Sequence, residues 1–208
     1  MGCVIVSSNG CRRTVNEVSR DPYWNHNTHY HRWLLDRVPP GARTALDVGC
    51  GDGLLAGKLA GRCASVLGVD SDASILECVP ADPRVRVEHS DFRDLTGTFD
   101  MVTAVASLHH VPLREGLSAL HRLVAPGGTL AVVGLWRMSP GLDFGYLPLL
   151  PAIWAINAYR RPADPGAAVL DPADTLHQIR TAAAAILPGA RIRRRLLWRY
   201  TLLWRKPA

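Results

Sequence analysis

Residues 44–55 read T-A-L-D-V-G-C-G-D-G-L-L, and this stretch decides the fold expected for the rest of the chain. A short apolar run ends at Asp47, and glycines follow at the alternate positions Gly49, Gly51 and Gly53. Apolar residues then return at the spacing of a helix. This order predicts a strand, a tight turn and a helix start, an arrangement that commonly holds a nucleotide-like ligand.

Glycine is needed in such a turn for two physical reasons. The turn uses backbone angles that residues with a Cβ rarely adopt, and the ligand must lie directly against the main chain. The dinucleotide-binding fingerprint is G-x-G-x-x-G, but here Leu54 takes the place of its third glycine, because Gly53 comes one residue early. With Asp47 ahead of the glycines, the pattern D-x-G-x-G-x-G resembles motif I of the class I, Rossmann-like S-adenosylmethionine-dependent methyltransferases.

Three later stretches strengthen this resemblance. The apolar run 64–69 leads into Asp70, close to the roughly 20-residue spacing at which a carboxylate binds ribose hydroxyls. Residues 85–89 alternate as a strand does and are followed by Asp91. Residues 99–110 carry the string F-D-x-V-x-x-x-x-x-L-H-H, which looks strongly like the family.

The resemblance implies a site for S-adenosyl-L-methionine, with S-adenosyl-L-homocysteine as the product and no metal. It implies that Asp70 binds the ribose, while Asp91 and the backbone of Phe92 meet the adenine. From the residues alone, Asp91 is equally a candidate helix N-cap. The residues expected to bind the cofactor are Tyr30, His31, Asp47, Gly49, Cys50, Gly51, Asp70, Ser71, Ile75, Ser90, Asp91, Phe92 and Ala106.

Strand and helix patterns alternate along the chain. This predicts an α/β fold with a doubly wound, mostly parallel sheet and helices on both faces. Residues 191–205 are β-prone and predict two strands, or one strand with a bend. The resemblance implies a seven-stranded sheet with a terminal antiparallel strand at its edge. Ligands of such sheets bind at the carboxyl ends of the strands, where Gly49, Asp70, Asp91 and Ala106 are expected to lie.

We expect three parts: a flexible N-terminus over residues 1–20, a single methyltransferase domain over 21–208, and an insertion at 136–171 within it. The insertion is rich in proline and aromatic residues and is longer than a usual connection. It is interpreted as a cap over the substrate cleft, with a helix around residues 147–159. A dimer surface or a membrane-surface patch is the alternative.

Histidines mark the expected acceptor side of the site. His109 and His110 follow the fourth strand, and His26 lies in an aromatic and histidine-rich segment that begins with the helix-start signal Asp21-Pro22. A neutral imidazole can remove a proton from a hydroxyl or an amine, so these three are the candidate catalytic residues. A role in scaffolding or aromatic packing is equally open for each of them.

The composition of the chain limits which other classes of protein and partner are expected. The chain has 208 residues and a formal net charge of +6, and its five cysteines form no C-x-x-C motif, so no zinc or disulfide framework is expected. Residues 191–206 carry seven basic and no acidic side chains. This stripe is a candidate nucleic-acid surface, although the exposed face of a terminal strand pair explains it as well. No signal peptide or membrane span is evident, so we expect a cytoplasmic protein, monomeric or homodimeric.

The sequence therefore predicts methyl transfer to oxygen, nitrogen or carbon of a small-molecule acceptor, with specialised metabolism as one biological setting. One alternative is an RNA methyltransferase that uses the basic C-terminal stripe, although nucleic acid is not favoured as a partner. The other is a non-catalytic protein that keeps the cofactor fold for binding. The intact glycine motif argues against this second alternative.

Overall fold

The computed structural model describes residues 21–138, 148–160, 162 and 170–208, together with the backbone of 4–6 and 12–14. Strands β1 (Val4–Val6) and β2 (Arg12–Thr14) pair antiparallel, although the sequence pattern predicts no regular structure there. The other residues of the N-terminus predicted to be flexible lie outside the described residues.

The main sheet has seven strands. They are β3 (Thr44–Val48), β4 (Ser65–Asp70), β5 (Val85–His89), β6 (Phe99–Val105), β7 (Val124–Gly134), β8 (Arg191–Arg195) and β9 (Arg199–Arg205). Their order is β5-β4-β3-β6-β7-β9-β8, in which β3 to β7 are parallel and β9 runs antiparallel to both β7 and β8. The predicted fold class is confirmed. Because β9 runs antiparallel, it begins beside the carboxyl ends of the parallel strands.

Helices cover both faces of this sheet. They are α1 (His31–Leu35), α2 (Leu54–Leu59), α3 (Ala73–Leu76), α4 (Leu113–Leu123), α5 (Leu150–Arg160) and α6 (Leu176–Ile186). Successive residues of β3 point to opposite faces, so Ala45 packs with α1 and α2 while Leu46 packs with α4 and α6. The near-continuous apolar strands are explained by burial on both sides.

Local hydrogen bonds delay the helix that the signal Asp21-Pro22 predicts. The segment after Asp21 does not become helical at once: Asn25 Oδ1 accepts bonds of 2.9 Å from the N–H groups of Asn27 and Thr28. Such a turn competes with helix formation, so a 3₁₀ turn at Thr28–Tyr30 and then α1 follow it. The helix therefore begins only at His31.

Helix α6 begins with a strong local start signal. Thr175 is its N-cap, and the Thr175 and Gln178 side chains form a reciprocal capping box. Elsewhere, the strand predicted over residues 85–89 agrees with β5.

The insertion at 136–171 is only partly described. Trp136 is buried in the core, and α5 covers most of the helix predicted around 147–159. Residues 139–147, 161 and 163–169 lie outside the described residues. Within the described part of the chain, no helix is both long enough and apolar enough to cross a membrane.

Candidate functional site

A cavity of about 630 Å³ opens at the carboxyl ends of the parallel strands, within the range of roughly 300–1,000 Å³ typical of small-molecule sites. The glycine loop, the ends of β4 to β7, the N-terminal segment and the start of β9 line it. Most of the predicted site residues meet there: His26, His31, Asp47, Gly49, Cys50, Gly51, Asp70, Ser71, Ile75, Ser90, Asp91, Phe92, Ala106, His109 and His110.

Tyr30 is the exception among the predicted residues. It is buried beneath the cavity, does not line it, and donates a 2.7 Å hydrogen bond from its hydroxyl to the Leu196 carbonyl. The side chain therefore ties α1 to the C-terminal hairpin. We leave Tyr30 out of the cofactor-binding set.

The glycine loop is shaped by close packing as well as by its turn. Gly49 has φ +68°, and a Cβ placed on it would lie 2.4 Å from the Ser107 Cβ, far inside van der Waals contact. Gly53 likewise has φ +74° and faces Val79, whose Cγ1 would lie 2.5 Å from an added Cβ. Two glycines of the motif are thus required by their neighbours in the fold, while Gly51 borders the cavity.

Cys50 fills the space behind the loop. Its Sγ lies against Gly68, where an added Cβ would come within 2.9 Å of the sulfur. Burial, and after it the negative charges of Asp47 and Asp70, raise the pKa of the Cys50 thiol. The thiol is therefore protonated and packs as a small apolar side chain.

Asp70 is fixed at the end of β4 by two backbone donors. Its Oδ2 accepts from Gly51 N at 2.8 Å and its Oδ1 accepts from Asp72 N at 3.0 Å. A carboxylate has about four lone-pair positions, so capacity is left for ligand hydroxyls. The acid faces the cavity beside Ile75, and this donor-poor, acceptor-rich corner fits a ribose diol.

Asp91 begins a turn and not a helix, so the N-cap interpretation is wrong. Its carboxylate binds the Arg93 guanidinium through Nε and Nη2, at 3.0 and 2.7 Å from Oδ2, and Arg93 also reaches Glu115. These hydrogen bonds with Arg93 lower the pKa of Asp91. Arg93 is absent from the residues predicted from the sequence, and its position two residues after Asp91 is the signal that could have found it.

Asp47 lies beneath the loop and is only 2 % exposed. Burial raises the pKa of its carboxyl to about 7, and the charges of Asp70 and Asp52 act in the same direction. A 2.8 Å hydrogen bond from Thr103 Oγ1 opposes this shift. The cofactor side of the cavity therefore gathers three carboxyl groups around the glycine loop.

His109 lies at the opposite side of the cavity. Burial is the main cause that lowers its pKa to about 4, and the charges of His110 and Arg199 add to it. The Nδ1 atom is buried and has no hydrogen-bond partner among the described residues. His109 is therefore neutral at physiological pH. His110 is exposed beside it.

The N-terminal segment closes the cavity from above. His26 Nε2 lies 2.8 Å from Asn157 Oδ1 on α5, and the Tyr23 hydroxyl donates to Asp52 Oδ2 at 3.1 Å. His31 pairs with Lys58 at 3.0 Å, and burial followed by the Lys58 charge lowers the His31 pKa to about 3. A neutral His31 accepts a hydrogen bond from the lysine.

Known proteins resemble the chain in sequence over different lengths. A family model described as a methyltransferase domain matches residues 45–128. Uncharacterized methyltransferases of Mycobacterium bovis and Mycobacterium tuberculosis are 39% identical over 203 residues, covering 90% of this chain and 99% of theirs. A ubiquinone biosynthesis O-methyltransferase of Pseudomonas paraeruginosa is 37% identical over 106 residues, 46% of each chain.

Solved structures share the fold. An amino pentose methyltransferase of Micromonospora echinaspora, bound to S-adenosylmethionine, has a TM-score of 0.63 at 18% identity and covers 88% of this chain and 92% of its own. The geranyl diphosphate C-methyltransferase of Streptomyces coelicolor has a TM-score of 0.58 at 15% identity, over 87% and 77%.

The strand order, the antiparallel β9 and the glycine loop define a Rossmann-like fold, which the chain shares with these methyltransferase structures. With the mycobacterial relatives matched over nearly their whole length, the chain belongs to the class I S-adenosylmethionine-dependent methyltransferases.

Proposed function

We propose that the enzyme methylates an oxygen, nitrogen or carbon atom of a small molecule held inside the cavity. The observation that carries this proposal is the continuity of that cavity. It reaches from Asp70 and Asp91 on the cofactor side to His109 on the other side. Donor and acceptor would therefore meet within one site, where orientation alone supplies much of the rate.

The proposed cofactor site lies on the side of the cavity where the acidic side chains gather. Asp70 accepts from the ribose hydroxyls, Asp91 and Phe92 border the adenine, and the backbone of Gly49 and Gly51 borders the methionyl part. When bound, S-adenosylmethionine supplies a methyl group already activated by its sulfonium. The carboxyl groups around the loop complement the positive charge that such a ligand carries.

The acceptor half is built at the ends of β6 and β7. Ala106 adopts φ +52° and turns the chain away from the sheet, and Ser107 Oγ donates to the Val48 carbonyl at 2.8 Å. Beyond this turn part of the cavity wall is apolar, because Leu135 and Leu170 line it together with His109. An apolar wall excludes water from the acceptor and strengthens the polar contacts inside.

The positions of the basic residues in the C-terminal stripe favour a small molecule over RNA as the methyl acceptor. Arg199 is buried inside the cavity, and Lys206 donates to the His121 and Val124 carbonyls. Arg191 and Arg193 are exposed. The stripe is thus divided between the cavity, the fold and the surface, whereas a nucleic-acid site needs a continuous cationic face.

The biological setting is part of the same proposal. Two similar structures are described as acting on an amino pentose, in calicheamicin biosynthesis, and on geranyl diphosphate. We infer a comparable small-molecule role in specialised metabolism for a cytoplasmic monomer or homodimer whose residues 136–171 cap the acceptor.

Incubation with S-adenosylmethionine labelled in the methyl group tests this function. The small-molecule, RNA and protein fractions of a cell extract are offered separately to the wild type and to Asp70→Asn. We expect label in the small-molecule fraction with the wild type and much less with the variant. Label in RNA, or equal labelling by both proteins, would contradict the proposal.

A further inference from the structure

The exposed large hydrophobic side chains are concentrated in one part of the chain. Among the described residues, all of them lie between positions 138 and 170, within the insertion after β7. Single exposed apolar residues scattered over a surface are ordinary, but this distribution is not scattered. The side chains, which together are called the apolar face here, are Met138, Leu149, Leu150, Trp154, Tyr159 and Leu170.

Helix α5 turns one side to the protein and leaves the other side uncovered. Ile153 is buried, and Asn157, about one turn later, bonds to His26. A surface helix normally turns charged side chains to the solvent, but the uncovered side of α5 has none. Its exposed residues are Leu150, Pro151, Trp154, Ala155, Ala158 and Tyr159.

Trp154 and Tyr159 contribute most of this uncovered area. They are 75 % and 85 % exposed. Aromatic side chains bury roughly 150–250 Å² each when they are covered, so these two alone leave on the order of a few hundred Å² in water, the size at which apolar patches mark interaction sites. Each also carries one polar N–H or O–H group, and this combination enriches tryptophan and tyrosine at lipid–water boundaries.

Positive charge flanks the apolar face. Arg160 is exposed at the end of α5, and exposed Arg137 directly precedes Met138. In the sequence, residues 144–163 contain two arginines and no acidic residue, within a chain of net charge +6. Apolar and aromatic side chains bordered by arginines are the combination that binds anionic lipid surfaces.

A second copy of the chain is the competing occupant of the apolar face. A two-fold contact places the same patch of both copies together, so contact through α5 would bring arginines together without an acidic residue from the stretch 144–163. Like charges that face each other are unfavourable, whereas an anionic bilayer attracts those arginines. The distribution of charge therefore favours lipid over a second copy.

The apolar face borders the cavity. Leu170 is both exposed and part of the cavity lining, and Pro162, two residues after α5, also lines the cavity. On its inner side α5 bonds to His26, another lining residue, through Asn157. The same helix can therefore cover the cavity with one side and contact a partner with the other.

We propose that the apolar face docks the enzyme on the surface of an anionic lipid bilayer. Trp154 and Tyr159 enter the headgroup region, and Arg137 and Arg160 lie against the lipid phosphates. Helix α5 has 11 residues, about 17 Å at 1.5 Å per residue. Because a bilayer core is about 30 Å thick, the helix lies on the membrane and does not span it. The docking goes beyond the proposed function and does not depend on methyl transfer.

Vesicle flotation with the full chain tests this docking. Vesicles of phosphatidylcholine mixed with phosphatidylglycerol are compared with vesicles of phosphatidylcholine alone. We expect the wild type to bind the anionic vesicles about tenfold or more tightly, since each arginine near an anionic surface contributes roughly fivefold. The pair Trp154→Gln and Tyr159→Gln should weaken binding by about tenfold or more, whereas Trp154→Phe and Tyr159→Phe should keep most of it.

Two single variants test the role of charge. Arg160→Gln should weaken binding to the anionic vesicles by roughly fivefold. Arg191→Gln removes an exposed arginine at the far end of β8 from the cavity-lining Arg199, so it should bind as the wild type does. All variants should unfold in urea as the wild type does, because the altered side chains are exposed.

The docking would be overturned by absence of binding to anionic vesicles, by equal binding to both kinds of vesicle, or by unchanged binding of the double glutamine variant. Sedimentation velocity without lipid tests the second copy. A wild-type dimer that the double glutamine variant converts to a monomer would assign the apolar face to self-association and also overturn the docking. Absence of S-adenosylhomocysteine binding by the wild type would contradict the proposed function, whereas vesicle binding decides the docking.

Discussion

The Asp70 carboxylate accepts a 2.8 Å hydrogen bond from the backbone N–H of Gly51, and this bond joins the end of β4 to the middle of the glycine loop. Both groups lie at the carboxyl edge of a parallel sheet, where the strands deliver ligand-binding residues. The loop is therefore positioned by the acid that we propose binds the ribose. A change that removes this hydrogen bond is expected to affect both the geometry of the loop and the affinity for the cofactor.

Gly49→Ala should destabilise the fold. The residue has φ +68°, and an added Cβ would lie 2.4 Å from the Ser107 Cβ. A left-handed angle for a residue with a Cβ and a crowded core together cost about 2 to 4 kcal/mol. Urea unfolding measures the loss, and Gly49→Ala with Ser107→Gly should recover part of it.

Gly57→Ala is the matched control for that variant. Gly57 lies inside α2, and nothing is within 4 Å of an added Cβ. Alanine in a helix interior is better than glycine by roughly 0.5–1 kcal/mol, so this variant should be as stable as the wild type or slightly more so. Equal losses for the two variants would show that Ser107 packing is irrelevant.

Asp47 should make stability depend on pH. Burial raises its pKa from 3.8 in the reference state to about 7 in the fold, so between these values the folded state binds more protons than the unfolded state. Stability must then fall as pH rises through this window, and level off above about 7. Unfolding of Asp47→Asn across the same window should lack this component. A wild-type curve that does not fall relative to the variant would contradict the prediction.

The hydrogen bond between His26 and Asn157 should couple the N-terminal segment to α5. The two side chains meet at 2.8 Å across 131 residues of sequence. In a double-mutant cycle of His26→Ala and Asn157→Ala, we expect a coupling of about 0.5–1.5 kcal/mol. Hydrogen exchange over residues 21–30 should accelerate in either variant. Strictly additive losses would show that the contact is not formed in solution.

His109 should contribute little as a general base. Its pKa of about 4 lies well below the operating pH at which proton transfer is most efficient. With an acceptor in hand, His109→Gln should reduce kcat by less than about tenfold, whereas loss of a general base costs about a hundredfold or more. A larger loss of kcat, together with a changed pH profile of kcat, would show instead that His109 is the general base.

The sequence predicts well which residues gather at the carboxyl ends of the strands, on the proposed cofactor side of the cavity. Asp47 and Asp70 lie near the ends of apolar strands and Gly49 directly follows one, so local periodicity is enough to predict that they lie at one edge of the sheet. The carboxyl ends of parallel strands lie at one edge of the sheet, so residues that are predicted separately at those ends are expected to lie close together.

The proposed acceptor side of the cavity is built by contacts between residues far apart in the sequence, which local sequence patterns do not reveal. Arg199 bonds to Asn27 across 172 residues, and Tyr30 bonds to Leu196 across 166. The pattern predicts a basic strand at Arg199 but not its position inside the cavity. The helix expected from Asp21 fails for a similar reason, because the side chain of Asn25 competes for the backbone donors.

The central claim is that the end of β4 and the glycine loop form an S-adenosylmethionine site, and calorimetric titration with S-adenosylhomocysteine tests it most directly. The wild type should bind one equivalent. Asp70→Asn should bind about tenfold or more weakly, because hydrogen bonds to a charged carboxylate contribute roughly 1.5–3 kcal/mol. Failure of the folded wild type to bind, or unchanged affinity in Asp70→Asn, would contradict the account.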